Sequence, residues 1–177
     1  MAGVHAVTLA YLKSSDHVIC SRAVFGSILS LFEKYVIKFG VDVTFVDLGD
    51  LDAWKQALRP NTRLLFIETP SNPLAQVGDL QAIADIAHEH GALFAVDNTF
   101  CTPVLQRPIE FGADLVIYSS TKYIDGQGRA LGGAVVGNAK LMEEITGVIR
   151  TLGNSLSPFN VWIFLKGLET LSLRMQA

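Results

Sequence analysis

Two short apolar runs, each ending abruptly in polar side chains, constrain the fold of this chain most strongly. One run, Ala-Leu-Phe-Ala-Val at residues 92–96, ends in Asp97. The other, Leu-Val-Ile-Tyr at residues 115–118, ends in three hydroxyl residues at 119–121, and Lys122 follows at once. Four or five apolar residues closed by polar ones are typical of a buried parallel strand. Ligands of open parallel sheets bind beyond the carboxyl ends of the strands, so Asp97 and Lys122 are expected to face one crevice.

The rest of the chain alternates strand patterns with helix patterns. Strands are predicted at residues 17–20, 41–46, 63–68, 92–97, 114–118 and 132–136. Helices are predicted at residues 1–12, 25–39, 50–58, 79–90, 139–152 and 158–175. This alternation predicts an α/β fold, with a mainly parallel sheet sandwiched by helices, in a single domain over residues 1–177. The strand at 132–136 is a candidate for antiparallel pairing.

A single lysine directly after a strand has two interpretations: an ordinary solvent-facing side chain or a reactive amine. A partly desolvated lysine amine is a good carbonyl nucleophile, which is the state needed to form a Schiff base. Asp97 favours the reactive amine, because a Schiff-base lysine and a carboxylate partner for a pyridinium nitrogen are the pair that pyridoxal phosphate requires. The hydroxyls of Ser119, Ser120 and Thr121 are candidates to bind a phosphate. The residues therefore predict a partly buried Lys122 in a site for pyridoxal 5′-phosphate.

Composition and charge argue against several other classes of protein. With 50% hydrophobic and 18% charged residues, the chain is globular rather than disordered. A net charge of −3 gives no electrostatic reason to expect a nucleic-acid or membrane partner. Two cysteines, Cys20 and Cys101, fit a reduced cytoplasmic protein better than a disulfide framework, and no signal peptide or spanning apolar run is evident. His88 and His90 do not share a helix face, so no metal site is predicted.

Three motifs occur in order along the chain: Glu-Thr-Pro-Ser-Asn-Pro at 68–73, Val-Asp-Asn-Thr at 96–99 and Ser-Ser-Thr-Lys-Tyr-Ile-Asp-Gly at 119–126. Together they resemble the Cys/Met-metabolism family of pyridoxal-phosphate-dependent enzymes, which share the aspartate-aminotransferase-like (type I) fold. The resemblance covers essentially the whole chain. Residues 21–26 and 125–129 are most similar to the branch that combines O-succinylhomoserine with sulfide.

The resemblance implies roles for the polar residues at the strand ends. Lys122 would form the Schiff base with the cofactor and then shuttle protons. Asp97 would pair with the pyridinium nitrogen of the ring. Ser119 and Thr121 would hold the phosphate.

The resemblance also implies contacts around the cofactor ring. Phe25 lies where many relatives have a ring-stacking tyrosine; it retains an aromatic face but lacks the hydroxyl. Thr99 would pack against the opposite face of the ring, and Asn72 would hydrogen-bond its 3′ oxygen. Glu68 would support these residues without touching the cofactor.

The implied reaction is γ-replacement on an O-acylhomoserine by a sulfur nucleophile, giving homocysteine from O-succinylhomoserine and sulfide in methionine biosynthesis. Cystathionine γ-synthase, a γ-lyase of the same family and a cofactor-binding fragment without turnover remain open alternatives. The resemblance further implies a homo-oligomer, a dimer or a tetramer, with sites at the dimer interface. It places an N-terminal segment and a smaller C-terminal domain, which binds the substrate carboxylate, outside residues 1–177, so the large domain is expected to be incomplete.

Overall fold

Six strands form one mainly parallel sheet in the structure, a computed structural model that describes residues 1–177. The strands are β1 (His17–Ser21), β2 (Asp42–Val46), β3 (Thr62–Glu68), β4 (Leu93–Asp97), β5 (Leu115–Ser119) and β6 (Gly133–Gly137). Their order in the sheet is β2-β1-β3-β4-β5-β6, and only the β5–β6 pair is antiparallel. The predicted α/β fold is confirmed, including the direction of the last strand.

Seven helices flank the sheet: α1 (Ala2–Tyr11), α2 (Gly26–Ser30), α3 (Leu51–Gln56), α4 (Leu80–His90), α5 (Thr102–Leu105), α6 (Ala139–Leu152) and α7 (Pro158–Gln176). Side-chain caps start three of the longer ones, because Asp79, Asn138 and Ser157 each accept a hydrogen bond from the backbone N–H three residues on. None of the helices combines the length and apolar character needed to cross a membrane.

Side chains alternate across the sheet and fill one core on each face. Along β3, Leu65 and Ile67 join a cluster of 22 buried residues that also includes side chains of α3, α4 and α7. Leu64 and Phe66 point the other way, into a cluster of 16 buried residues shared with α1, α2 and α6. A strand buried on both faces needs apolar residues at every position, which explains why these strands appear in the sequence as continuous apolar runs. The site at the strand ends is therefore built on a rigid sheet.

The segment 25–39 differs from its prediction as one amphipathic helix. It consists of α2 followed by a π-helical turn and a 3₁₀ turn. Three side chains spaced by four residues are buried on it: Ile28, Phe32 and Val36. This spacing exceeds the period of about 3.6 residues in an α-helix, so a wider turn keeps all three toward the sheet. The rings of Phe25 and Phe39, at the two ends of the segment, are 47% and 73% exposed, so the apolar residues of the segment do not all face the sheet.

Candidate active site

One cavity of about 270 Å³ lies at the carboxyl ends of β4 and β5. Its lining includes every residue to which the family resemblance assigns a cofactor contact: Phe25, Asn72, Asp97, Thr99, Ser119, Thr121 and Lys122. Ser120, the third hydroxyl residue of the strand end, is buried and does not line the cavity. The first turn of α1 closes one side of it through Met1, Gly3 and Val4. A second cavity of about 450 Å³ is also lined by Lys122 and extends along the turn that follows this residue. Lys122 thus lies between the two cavities.

Asp97 is the last residue of β4, and its carboxyl group is largely enclosed. Its Oδ1 accepts a hydrogen bond from the backbone N–H of Thr99 at 3.0 Å. Burial raises the pKa of Asp97, while hydrogen bonds from Thr99 and the positive chain terminus act in the opposite direction. No Arg, Lys or His side chain forms an ion pair with it. An enclosed carboxylate without a cation is suited to a positively charged ligand group.

Glu68 places a second buried carboxyl group beside the first. It ends β3 and is paired with Asp97 in the register of the two strands. Its Oε2 accepts a hydrogen bond from the backbone N–H of Phe25 at 2.5 Å. Burial and the charge of Asp97 raise the pKa of Glu68 to about 7, against the opposing effect of the backbone N–H groups of Phe25 and Asn72. Glu68 therefore connects the backbone of one predicted cofactor contact to the strand that adjoins Asp97.

The hydroxyl residues at the strand ends have different surroundings. Thr99 Oγ1 accepts a hydrogen bond from the backbone N–H of Ser119 at 2.7 Å, which joins the ends of β4 and β5. Thr121 Oγ1 accepts from the N–H of Gly132 at 3.0 Å and donates to its carbonyl at 3.3 Å. The Ser119 hydroxyl makes no hydrogen bond within the chain and lines the cavity. Of the two hydroxyls assigned to the phosphate, only that of Ser119 is uncommitted.

Lys122 is exposed, and the expectation of a partly buried amine is wrong for this chain. The residue lies on a short turn, Ser120–Ile124, where its own backbone departs from helical geometry (φ −89°, ψ −118°). Its ammonium group has no ion-pair or hydrogen-bond partner. Lys122 lies at the mouth of the cavity, as the strand-end pattern predicts. No element of residues 1–177 packs over its side chain to remove it from water.

Phe25 and Asn72 line the cavity from two different connections. Phe25 immediately precedes α2, and its ring is about half exposed at the cavity edge. Asn72 is exposed in the turn after β3, between cis peptide bonds at Thr69–Pro70 and Asn72–Pro73. Both side chains are open to a ligand entering the cavity.

Two further polar side chains, Asn98 and Gln106, hold the strand ends together. Asn98 is fully buried, and its Nδ2 donates to the carbonyls of Thr102 at 3.2 Å and Gln106 at 2.8 Å. Gln106 Nε2 donates to Asn98 Oδ1 and to the carbonyl of Thr69, each at 2.8 Å. An Asn directly after a strand is a turn signal in the sequence. The partner Gln106 carries no such signal, and its role emerges only in the folded chain.

A mainly parallel sheet that brings a lysine, an aspartate and hydroxyl side chains to one cavity at its strand ends defines the cofactor-binding domain of a type I pyridoxal-phosphate enzyme. The comparison with known families agrees. The chain belongs to the Cys/Met metabolism PLP-dependent enzyme family, whose model matches residues 1–177. The predicted family and its dependence on pyridoxal phosphate are confirmed.

Individual relatives match over nearly the whole chain. An O-succinylhomoserine sulfhydrylase of Pseudomonas aeruginosa is 57% identical over 177 residues, which is 100% of this chain and 44% of that protein. A canavanine gamma-lyase of Pseudomonas canavaninivorans is 44% identical over 99% of this chain and 44% of its own length. The crystal structure of metB from Corynebacterium glutamicum superimposes with a TM-score of 0.95 at 34% identity, covering 98% of this chain and 45% of that one. The chain thus spans less than half the length of these relatives.

The free groups of the cavity fit the groups of pyridoxal phosphate. Asp97 lacks a cation, which a protonated ring nitrogen supplies. The hydroxyl of Ser119 lacks an acceptor, which a phosphate oxygen supplies. Lys122 lacks any partner, and an aldehyde carbon is one with which its amine reacts. Three unsatisfied groups in one cavity match three functional groups of one molecule.

Proposed function

We propose that these residues form the cofactor site of an enzyme that replaces the acyl group of an O-acylhomoserine with a sulfur nucleophile. The reaction expected is that of O-succinylhomoserine with sulfide, which gives homocysteine for methionine synthesis. The observation that carries this proposal is the 57% identity, over the whole chain, with a protein named O-succinylhomoserine sulfhydrylase. At the coarser level of the family, the relatives include both lyases and sulfhydrylases that use pyridoxal phosphate.

In this proposal Lys122 holds the cofactor covalently through Nζ, and Asp97 holds the ring nitrogen in its protonated form. Ser119 and Thr121 bind the phosphate. The Thr121 hydroxyl either gives up its hydrogen bonds to Gly132 or keeps them while it also binds a phosphate oxygen. When bound, pyridoxal phosphate supplies an electron sink that stabilises negative charge at the substrate Cα.

Three residues orient the ring. The aromatic face of Phe25 stacks on one side and Thr99 contacts the other, while Asn72 hydrogen-bonds the 3′ oxygen. The Thr99 hydroxyl already accepts a hydrogen bond from the Ser119 N–H, which fixes the side chain at the ends of β4 and β5. Phe25 has no hydroxyl group, so this residue cannot donate or accept a proton in the reaction.

Proton transfer falls to Lys122. With the cofactor bound, the amine of Lys122 would be the base that takes the proton from the substrate Cα and then moves protons at Cβ. Its position between two cavities and its lack of any competing partner within the chain allow it to reach more than one carbon. General acid–base catalysis of this kind contributes roughly 10²- to 10⁴-fold to a rate.

Elimination is the second candidate function. A canavanine gamma-lyase is 44% identical over nearly the same span, so overall similarity does not separate replacement from elimination. Cystathionine γ-synthase remains a third possibility within the same family. Release of ammonia from O-succinylhomoserine without sulfide would favour a lyase, whereas sulfide-dependent homocysteine formation would favour the sulfhydrylase.

We further propose that residues 1–177 act as one large domain of a cytoplasmic homodimer or homotetramer. The exposed side chains of Phe159 and Trp162 on α7, 66% and 54% exposed, are candidates for the subunit contact. Sedimentation analysis of the chain and of a Phe159→Ser, Trp162→Ser double variant tests this. An unchanged oligomeric state in the variant would place the contact elsewhere.

The decisive experiment is a pyridoxal-phosphate titration followed by borohydride reduction and peptide mapping. We expect one reduced adduct, on Lys122, which is lost in Lys122→Ala and retained in the control Lys140→Ala, another exposed lysine at the start of α6. The same sample is then assayed with O-succinylhomoserine and sulfide. An adduct distributed over many lysines would contradict the site, and an adduct on Lys122 without turnover would leave a cofactor-binding chain with no activity of its own.

A further inference from the structure

Helix α7 packs directly on the turn that carries Lys122. At the contact point lies Gly167, where a Cβ atom would collide with the carbonyl oxygen of Ile124 and lie 3.0 Å from Asp125 Cα. Only a residue without a side chain allows this approach. Seven residues further on, two helical turns along the same face, lies Arg174.

The guanidinium of Arg174 binds the backbone of the Lys122 turn. Its Nη1 donates to the carbonyl of Tyr123 at 2.7 Å, and its Nη2 donates to the carbonyl of Ile124 at 3.2 Å. The same Nη2 donates to the carbonyl of Gly167 at 2.9 Å, and Nε donates to Thr170 Oγ1 at 3.1 Å. One side chain thus links the two residues after Lys122 to the helix.

A second arginine, Arg129, holds the end of the same turn through Asp125. The buried carboxylate of Asp125 accepts hydrogen bonds from the backbone N–H of Arg129 at 2.6 Å and from the Nε of Arg129 at 2.9 Å. The Nη2 of Arg129 forms an ion pair with Oδ1 of Asp125 at 2.7 Å. Between the two arginines lies Gly126 at φ +74°, where a Cβ atom would be 2.6 Å from the Cζ of Arg174. The two arginines therefore hold the chain at three successive residues, 123, 124 and 125, and Gly126 leaves room for the guanidinium of Arg174.

We propose that Arg174 is a positioning residue that fixes the direction in which the Lys122 side chain leaves the backbone. This inference rests on the proposed function, in which Lys122 reacts with the cofactor. The Lys122 ammonium has no partner, so only the backbone of its turn sets its average position. That turn is stabilised within itself by two bonds, Gly126 N–H to the Lys122 carbonyl at 2.8 Å and Asp125 N–H to the Ser120 carbonyl at 3.0 Å. Arg174 adds an anchor to α7, alongside the hydrogen bonds that join Thr121 to Gly132.

The planar fork of arginine suits this task. It presents five N–H donors in fixed directions, whereas a lysine ammonium is a point charge on a flexible stem. Arg174→Lys is therefore expected to keep the charge near the turn but lose the simultaneous contacts to several carbonyls. Misplacement of a reacting group by about 1 Å is enough to lower a rate by roughly 10²-fold.

The experiment compares Arg174→Ala and Arg174→Lys with the control Arg150→Ala, an exposed arginine of α6 that makes no hydrogen bond. Two quantities are measured in each full chain: amide hydrogen exchange over residues 120–129 without cofactor, and the rate at which Lys122 forms its borohydride-trapped adduct with pyridoxal phosphate. We expect Arg174→Ala to accelerate exchange at Asp125 and Gly126 and to slow adduct formation by roughly tenfold or more. Arg174→Lys should recover part of the rate, and Arg150→Ala should match the parent chain.

A lower melting temperature of Arg174→Ala with an unchanged adduct rate on Lys122 would overturn the inference, because a merely structural role predicts that result. If the parent chain forms no adduct on Lys122, the proposed function fails. The hydrogen-exchange comparison then decides the positioning role by itself: unchanged exchange at Asp125 and Gly126 refutes it, and faster exchange supports it.

Discussion

Replacing Glu68 with glutamine should change how the stability of the protein depends on pH. Glu68 is 5% exposed as a residue, and the pKa of its carboxyl group is raised from 4.5 to about 7, chiefly by burial and then by the charge of Asp97. Between these two pH values the folded protein keeps the proton that the unfolded chain has lost. Stability contributed by this proton is therefore full below about pH 4.5 and is lost as the pH rises to 7.

The size of the effect follows from the same two values. Each pKa unit corresponds to about 1.4 kcal/mol, so ionised Glu68 costs the folded state about 3 kcal/mol above pH 7. Glutamine keeps an oxygen that accepts the Phe25 N–H, the bond now made at 2.5 Å, and cannot ionise. Glu68→Gln should thus differ least from the parent in stability at pH 5 and exceed it by up to about 3 kcal/mol at pH 8.

Urea unfolding at pH 5, 6, 7 and 8 measures this difference directly. Glu89→Gln, at an exposed position in α4, is the matched control and should follow the parent at every pH. The charges of Glu68 and Asp97 repel each other, so the measured difference includes the relief of this repulsion in Glu68→Gln. Parallel pH profiles for the parent and Glu68→Gln would refute the reasoning, because they would mean that Glu68 is solvated enough to ionise without cost.

Three further predictions concern the site and the core. Asp97→Asn should weaken pyridoxal-phosphate binding by at least roughly tenfold, as measured by titration, since the ring nitrogen loses its charged partner. Gly167→Ala should lower the free energy of unfolding by about 1–3 kcal/mol, because the new methyl group meets the carbonyl of Ile124. Phe32→Ala should cost about 3–5 kcal/mol in urea unfolding, because the fully buried ring packs edge-on against Phe66 at 5.8 Å; a loss under 1 kcal/mol would contradict the assigned core.

The sequence predicts most of the sheet because its signals are local. Each parallel strand is a short apolar run closed by polar residues, and helix ends are marked by caps such as Asp79 and Gly91. The segment 25–39 escapes this reasoning, because its apolar spacing of four fits a widened turn as well as it fits an α-helix. The strand-end residues Asp97 and Lys122 are found because polar side chains at that position break an apolar run.

Other properties of the site depend on contacts between distant parts of the chain. Whether Lys122 is covered by protein depends on which elements pack over its turn, and a local pattern contains no such information. The contacts of Arg174 with the carbonyls of Tyr123 and Ile124 connect residues about 50 positions apart. An arginine near the end of an amphipathic helix is read from sequence as a solvent-facing charge. Its partners become visible only when the helix is placed on the turn.

The contact between α7 and the lysine turn also has a consequence for the order of events during synthesis. All three motifs of the family, from Glu68 to Gly126, are synthesised before Gly167 and Arg174. The turn that bears Lys122 must therefore wait for roughly 50 more residues before its contacts with α7 can form. A nascent chain at that stage contains every recognisable motif but not yet the geometry of a site.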